Sequence, residues 1–135
     1  MSKRLANTLG VVVLLLVFLT LAIAIGVNAA SRTDVMQQPP VAGGDARQGA
    51  LAIQGYGCGA CHTIPDIPGA NGTVGPPLTS LAKRSVLAGQ LPNNPDNLIL
   101  WIMHPQEVRP GSDMPEMGVT EPAARDIAAY LYSVK

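Results

Sequence analysis

Two thiols three residues apart, followed at once by an imidazole, constrain this chain more than any other feature: Cys58-Gly59-Ala60-Cys61-His62. The C-x-x-C-H spacing is that of a c-type haem attachment site. Thiols so placed can form thioethers to two vinyl groups, and the adjacent histidine can take one axial position on the iron. Other uses of a C-x-x-C pair stand beside this one. A structural zinc site needs about four ligands, and the chain has one further histidine, His104, and no third cysteine. A dithiol redox motif would follow a strand and open a helix in a βαβ unit, and no such alternation is visible. A plain disulfide remains a third alternative.

The hydropathy pattern divides the 135 residues into two parts. Lys3 and Arg4 are basic, no charged residue occurs from Leu5 to Ser31, and Val11 to Val27 is almost continuously apolar. That run approaches the roughly 20 residues of a membrane-crossing helix. The two cations then hold the N-terminus in the cytoplasm and put the remainder outside. A cleavable signal peptide, with Val27-Asn28-Ala29 as its small-residue site, is the alternative. The expected organisation is an N-terminal transmembrane anchor or uncleaved signal over 1–30, a linker over 31–42 and a haem-bearing domain over 43–135. Beyond residue 31, seven basic residues stand against nine acidic ones. A net charge of −2 gives no support for a nucleic-acid partner.

Within 43–135 the pattern is helical. Asp45 is a candidate N-cap for a helix reaching Tyr56, with Ala46, Gly49, Ala50 and Ile53 at helical spacing. Residues 63–77 hold four prolines and three glycines and read as an irregular loop. A short helix is expected within Leu78–Ala88. Asn94-Pro95-Asp96 is a helix start, and the helix Pro95–Met103 carries Leu98, Trp101 and Ile102 on one face, with Pro105 marking its end. Val108–Gly118 reads as a second loop. Thr120 is expected to cap a final helix whose buried stripe is Ala124, Ile127, Ala128, Leu131 and Val134. No strand pattern competes. Four aromatic residues, Tyr56, Trp101, Tyr130 and Tyr132, leave a thin core for a domain this size, which a covalently held porphyrin would complete.

A second axial ligand is sought among Met103, His104, Met114 and Met117. Met103 and His104 end a helix. Met114 lies in Asp113-Met114-Pro115, where the proline stiffens a glycine-containing loop that can turn the sulfur inward. Met114 is the expected ligand, with Met117 a gap-filling core residue.

From Gly44 to Lys135 the chain resembles class I c-type cytochromes, closest to the haem c domain of bacterial haem–copper cytochrome oxidase subunit II. The resemblance rests on Cys58–Ile64, Gly75-Pro76-Pro77-Leu78-Thr79, Leu91–Leu98, Trp101-Ile102, Pro105-Gln106, Pro110–Pro115 and Ala129-Tyr130-Leu131. It implies an all-α, class I cytochrome c fold, here with one N-terminal transmembrane helix. It implies one haem c, covalent through Cys58 and Cys61, with His62 and Met114 on the iron. It implies that the Pro76 carbonyl accepts a hydrogen bond from the second nitrogen of His62, and that Arg84 and Trp101 face the haem propionates. The chain departs from that family in having no copper-binding cupredoxin domain and one apolar segment where subunit II usually has two.

The function expected on these grounds is single-electron transfer in a respiratory chain by a membrane-anchored monohaem cytochrome, ending at a terminal oxidase. The chain is expected to be a carrier or redox subunit, not an enzyme. Its partners would be a quinol-oxidising complex or soluble cytochrome, the terminal oxidase and the membrane. It would sit in the cytoplasmic membrane with the haem domain on the extracytoplasmic side. A haem subunit of a periplasmic dehydrogenase or reductase is the alternative; a catalytic or sensory haem protein would need an open sixth position.

Overall fold

The computed structural model describes residues 10, 12–23 and 41–135. The chain divides into two compact units, Met1–Gln37 and Gln38–Lys135. In the first, residues 12–23 are helical, with Val12 to Leu19 each more than half exposed. The expected N-terminal transmembrane helix is corrected: among the described residues, no helix is long and apolar enough to cross a membrane. The rest of the expected anchor and most of the expected linker, through residue 40, lie outside the described residues.

The second unit is built on two helices packed against each other. Helix α1, Ala46–Gly55, starts where the Asp45 carboxylate accepts the N–H groups of Arg47 (2.7 Å) and Gln48 (3.3 Å), which satisfies donors that have no partner inside a helix. Helix α4, Glu121–Ser133, buries Ala124, Ile127, Ala128, Tyr130 and Leu131, while Val134 is half-buried. Thr120 occupies its N-cap, but its hydroxyl makes no capping bond. The two helices touch through a glycine: a Cβ on Gly49 would press on the Asp126 carbonyl oxygen and lie 2.9 Å from the Tyr130 Cβ. The Asp126 carboxylate also accepts the Asp45 N–H, at 2.7 Å.

Between them come α2, Pro95–Met103, and α3, Pro105–Val108. Asn94 caps α2 through the Asn97 N–H at 2.9 Å. The buried face of α2 is Leu98, Ile99 and Ile102, with Trp101 half-buried. Pro105 does not simply end α2. It opens α3, where its missing N–H costs nothing, and its ring is fully buried.

The expected all-α architecture is corrected by a two-stranded antiparallel sheet, β1 Val86–Leu87 and β2 Leu91–Pro92. The strands are joined by three residues, Ala88 to Gln90, with Ala88 at φ 50° and Gly89 at φ 76°, and the Gln90 N–H returns to the Leu87 carbonyl at 3.0 Å. The helix expected within Leu78–Ala88 is reduced to one 3-10 turn, Leu81–Lys83.

One buried amide ties these pieces together. Asn93, 9% exposed, donates to the carbonyls of Leu81 (2.8 Å) and Arg84 (2.7 Å) and accepts the Tyr132 hydroxyl at 2.7 Å. Burial pushes the Tyr132 phenol up to about 12. A phenol whose folded value lies above its ordinary 10 contributes stability that is full below pH 10 and is lost as pH rises through 12. Tyr132→Phe should therefore flatten the fall in melting temperature between pH 10 and 12. Equal slopes in wild type and variant would contradict that assignment.

Candidate functional site

A cavity of about 600 Å³ opens between the helices and the two loops, within the range of small-molecule and cofactor sites. Its apolar walls include Ile53 of α1, Leu98 and Ile102 of α2, Ile127 and Leu131 of α4, and Leu87 of the hairpin. All seven residues singled out from the sequence, Cys58, Cys61, His62, Pro76, Arg84, Trp101 and Met114, line it. Met117 lines it too, but at 41% exposure it is no core filler. Met103 and His104 are not among the lining residues.

The thiol pair sits on a 3-10 turn, Cys58–Ala60, entered through Gly57 at φ 71°. Three residues per turn bring positions i and i+3 to the same side, and the N–H groups of Cys61 and His62 both return to the Cys58 carbonyl, at 3.2 and 3.0 Å. No disulfide joins the two cysteines, and each is half-buried. Burial pushes the Cys58 thiol above its ordinary value; its own backbone hydrogen bond partly offsets this, and the neighbouring Cys61 adds to the rise.

His62 has a fixed orientation. Its Nδ1 lies 2.8 Å from the Pro76 carbonyl. A carbonyl only accepts, so Nδ1 carries a proton, and in the neutral ring Nε2 keeps the lone pair that could bind a metal. The loop beneath is held at both ends: the Gly75 N–H donates to the Cys61 carbonyl and the Leu78 N–H to the Thr63 carbonyl, each at 2.8 Å. Gly75 lies directly against the ring. A Cβ there would strike Cε1 and stand 2.7 Å from Nδ1.

Arg84 reaches back over the same loop, donating through Nη2 to the Pro77 carbonyl and, at 3.3 Å, to that of Thr79. Sequence reasoning missed Gly75 and also Arg109, a second cation on the cavity wall. Arg109 donates to the Ala88 carbonyl at 3.2 Å, and the Gln90 amide donates to the Val108 carbonyl. Hairpin turn and Met114 loop are thereby joined along one side of the cavity. An arginine in a loop carries no spacing signal that would have marked it.

No family model matches the chain. Over 92 residues it is 37% identical to cytochrome c oxidase subunit 2 of Alkalihalophilus pseudofirmus, a match covering 67% of this chain and 26% of that protein. The chain thus spans about a quarter of the relative's length, and the match supports a partial relationship to that oxidase subunit.

Two expectations are corrected here. The single haem c, covalent through Cys58 and Cys61, is not supported: the match is to a protein named as an oxidase subunit, and among the described residues no three His, Cys, Asp or Glu side chains come together to hold a metal ion. In place of that assignment stands a cavity walled by two thiols, one oriented imidazole and two thioethers, those of Met114 and Met117. The expectation of a protein that is not an enzyme is also corrected, because the relative is by name a subunit of an oxidase.

Proposed function

We propose that residues 43–135 form a one-electron transfer domain of a respiratory chain, acting with or within a terminal cytochrome oxidase at the membrane. The observation that carries the reading is the convergence of His62 and Met114, far apart in the sequence, on one apolar cavity, with the imidazole lone pair left free by the Pro76 bond. The partial match to an oxidase subunit supports the choice of pathway. An imidazole and a thioether suit a redox metal whose potential the protein tunes through the axial atoms and their hydrogen bonds.

In this reading His62 Nε2 and the Met114 sulfur are the metal ligands of the redox group. Cys58 and Cys61 contact it from the turn before His62, Pro76 holds the imidazole, and Arg84 and Trp101 lie against the group's polar edge. The apolar walls exclude water, which keeps the cost of reorganisation on electron gain low. The uncharged run from residue 5 to 31 supports placement on the extracytoplasmic face.

The test is reoxidation. The chain, drawn from native membranes in mild detergent, should carry a redox centre that oxygen reoxidises in a cyanide-sensitive manner. Intact mass and metal content of the same material identify the redox group. A centre that stays reduced in oxygen, and co-purifies with a dehydrogenase, would overturn the oxidase assignment in favour of a dehydrogenase or reductase subunit.

A further inference from the structure

Met114 lies on an irregular segment with little apolar anchorage. Gly111, Asp113, Pro115, Glu116, Met117 and Gly118 around it are all exposed. A loop of this kind is ordered by where its backbone polar groups find partners, and here three of them end on one side chain. The Gln106 amide nitrogen donates to the carbonyls of Ser112 at 2.8 Å and Met114 at 2.7 Å, while its oxygen accepts the Gly111 N–H at 3.2 Å. Two acceptors on one side and a donor on the other allow a single orientation of the carboxamide.

Gln106 is itself held in place. It follows the fully buried Pro105 at the start of α3, and its own N–H donates to the Glu116 carboxylate at 3.0 Å. Glu116 therefore closes the far end of the segment onto the helix that carries Gln106. Inside the segment, Gly111 turns the chain back at φ 79°, and the Ser112 hydroxyl accepts the Met114 N–H at 3.2 Å. Both backbone polar groups of Met114 are thus fixed by side chains, one of them directly by Gln106.

We infer that Gln106 is the positioning residue for Met114: its carboxamide shapes the 111–114 segment so that the thioether enters the cavity in one conformation. The inference deepens the functional reading above and rests on it for the meaning of the Met114 position. Glutamate at 106 has the same shape but no donor, so its carboxylate would face two carbonyl oxygens and the segment should release it. Met117 has no comparable brace from Gln106, which separates the two methionines by physical position and not only by spacing.

The experiment uses the full chain in detergent, labelled with methyl-13C methionine, in the reduced state. Wild type should give one sharp Met114 methyl signal. Gln106→Glu and Gln106→Met, the second of which keeps the length and removes all three bonds, should each broaden or split that signal, leaving the Met103 methyl unchanged and shifting the midpoint potential of the redox centre. A Met114 signal identical to wild type in either folded variant would overturn the inference. The functional reading fails separately: if Met114→Leu leaves the midpoint potential unchanged, Met114 is not a ligand, whatever Gln106 does to its methyl signal.

Discussion

Gly75→Ala should disable the site while leaving the helices in place. The added methyl would meet Cε1 of His62 and lie 2.9 Å from Nε2. Neither side can yield easily. The Gly75 backbone is tied to the Cys61 carbonyl, and the ring is tied to the Pro76 carbonyl. Overpacking of a tight contact costs about 1–3 kcal/mol, comparable to or larger than the roughly 1 kcal/mol of a single hydrogen bond. The loop backbone is tied at both Gly75 and Leu78 whereas the ring has the one bond to Pro76, so the ring leaves Pro76. The expected result is loss of the single His62 Nδ1–H resonance and loss or large displacement of the redox midpoint, with far-UV circular dichroism near wild type. Retention of both the resonance and the midpoint would show that the loop moves instead.

Gly49→Val should have the larger effect on stability. A Cβ at this position would press on the Asp126 carbonyl oxygen, with the carbonyl carbon only 2.6 Å away. Both neighbours are helical backbone and cannot rotate aside. Replacing glycine within a helix gains at most about 1 kcal/mol of propensity, and less for a β-branched residue. Separating α1 from α4 would expose part of Ile53, Ile127 and Ala128, which are 2% exposed or less; opening such packing costs several times that gain. The clash wins. A loss of about 3 kcal/mol or more is expected, read as a clear fall in the denaturant midpoint. An unchanged midpoint would show that the helices can separate at no cost. Gly49→Ala should show the same effect in smaller measure.

Much of this was legible in the residues, and the misses have specific causes. The stripe of Ala124, Ile127, Ala128 and Leu131 defines α4 because 3.6-residue periodicity is strong over thirteen residues. The sheet has two residues per strand, too few for any alternation to register. Pro105 reads equally as the end of one helix or the start of the next, and only the structure shows it opening α3. At the site, residue types with strong chemistry marked themselves: Cys58, Cys61, His62 and Met114. Gly75 did not, because it is one of three glycines in a proline-rich loop and only the position of the His62 ring distinguishes it. Gln106 stood within the resembling segments, yet an amide has no spacing signature for a backbone brace, and its role emerges from three distances.

The most direct test of the central claim is reoxidation of the isolated complex by oxygen. Native membranes solubilised in mild detergent should yield this chain with a one-electron centre, and that centre should be reoxidised by oxygen in a reaction that cyanide blocks. In the same preparation, Met114→Leu should shift the midpoint potential and slow the reaction, whereas Met117→Leu should not. A chain that carries no redox-active centre, or one that oxygen leaves reduced with cyanide absent, would contradict the account.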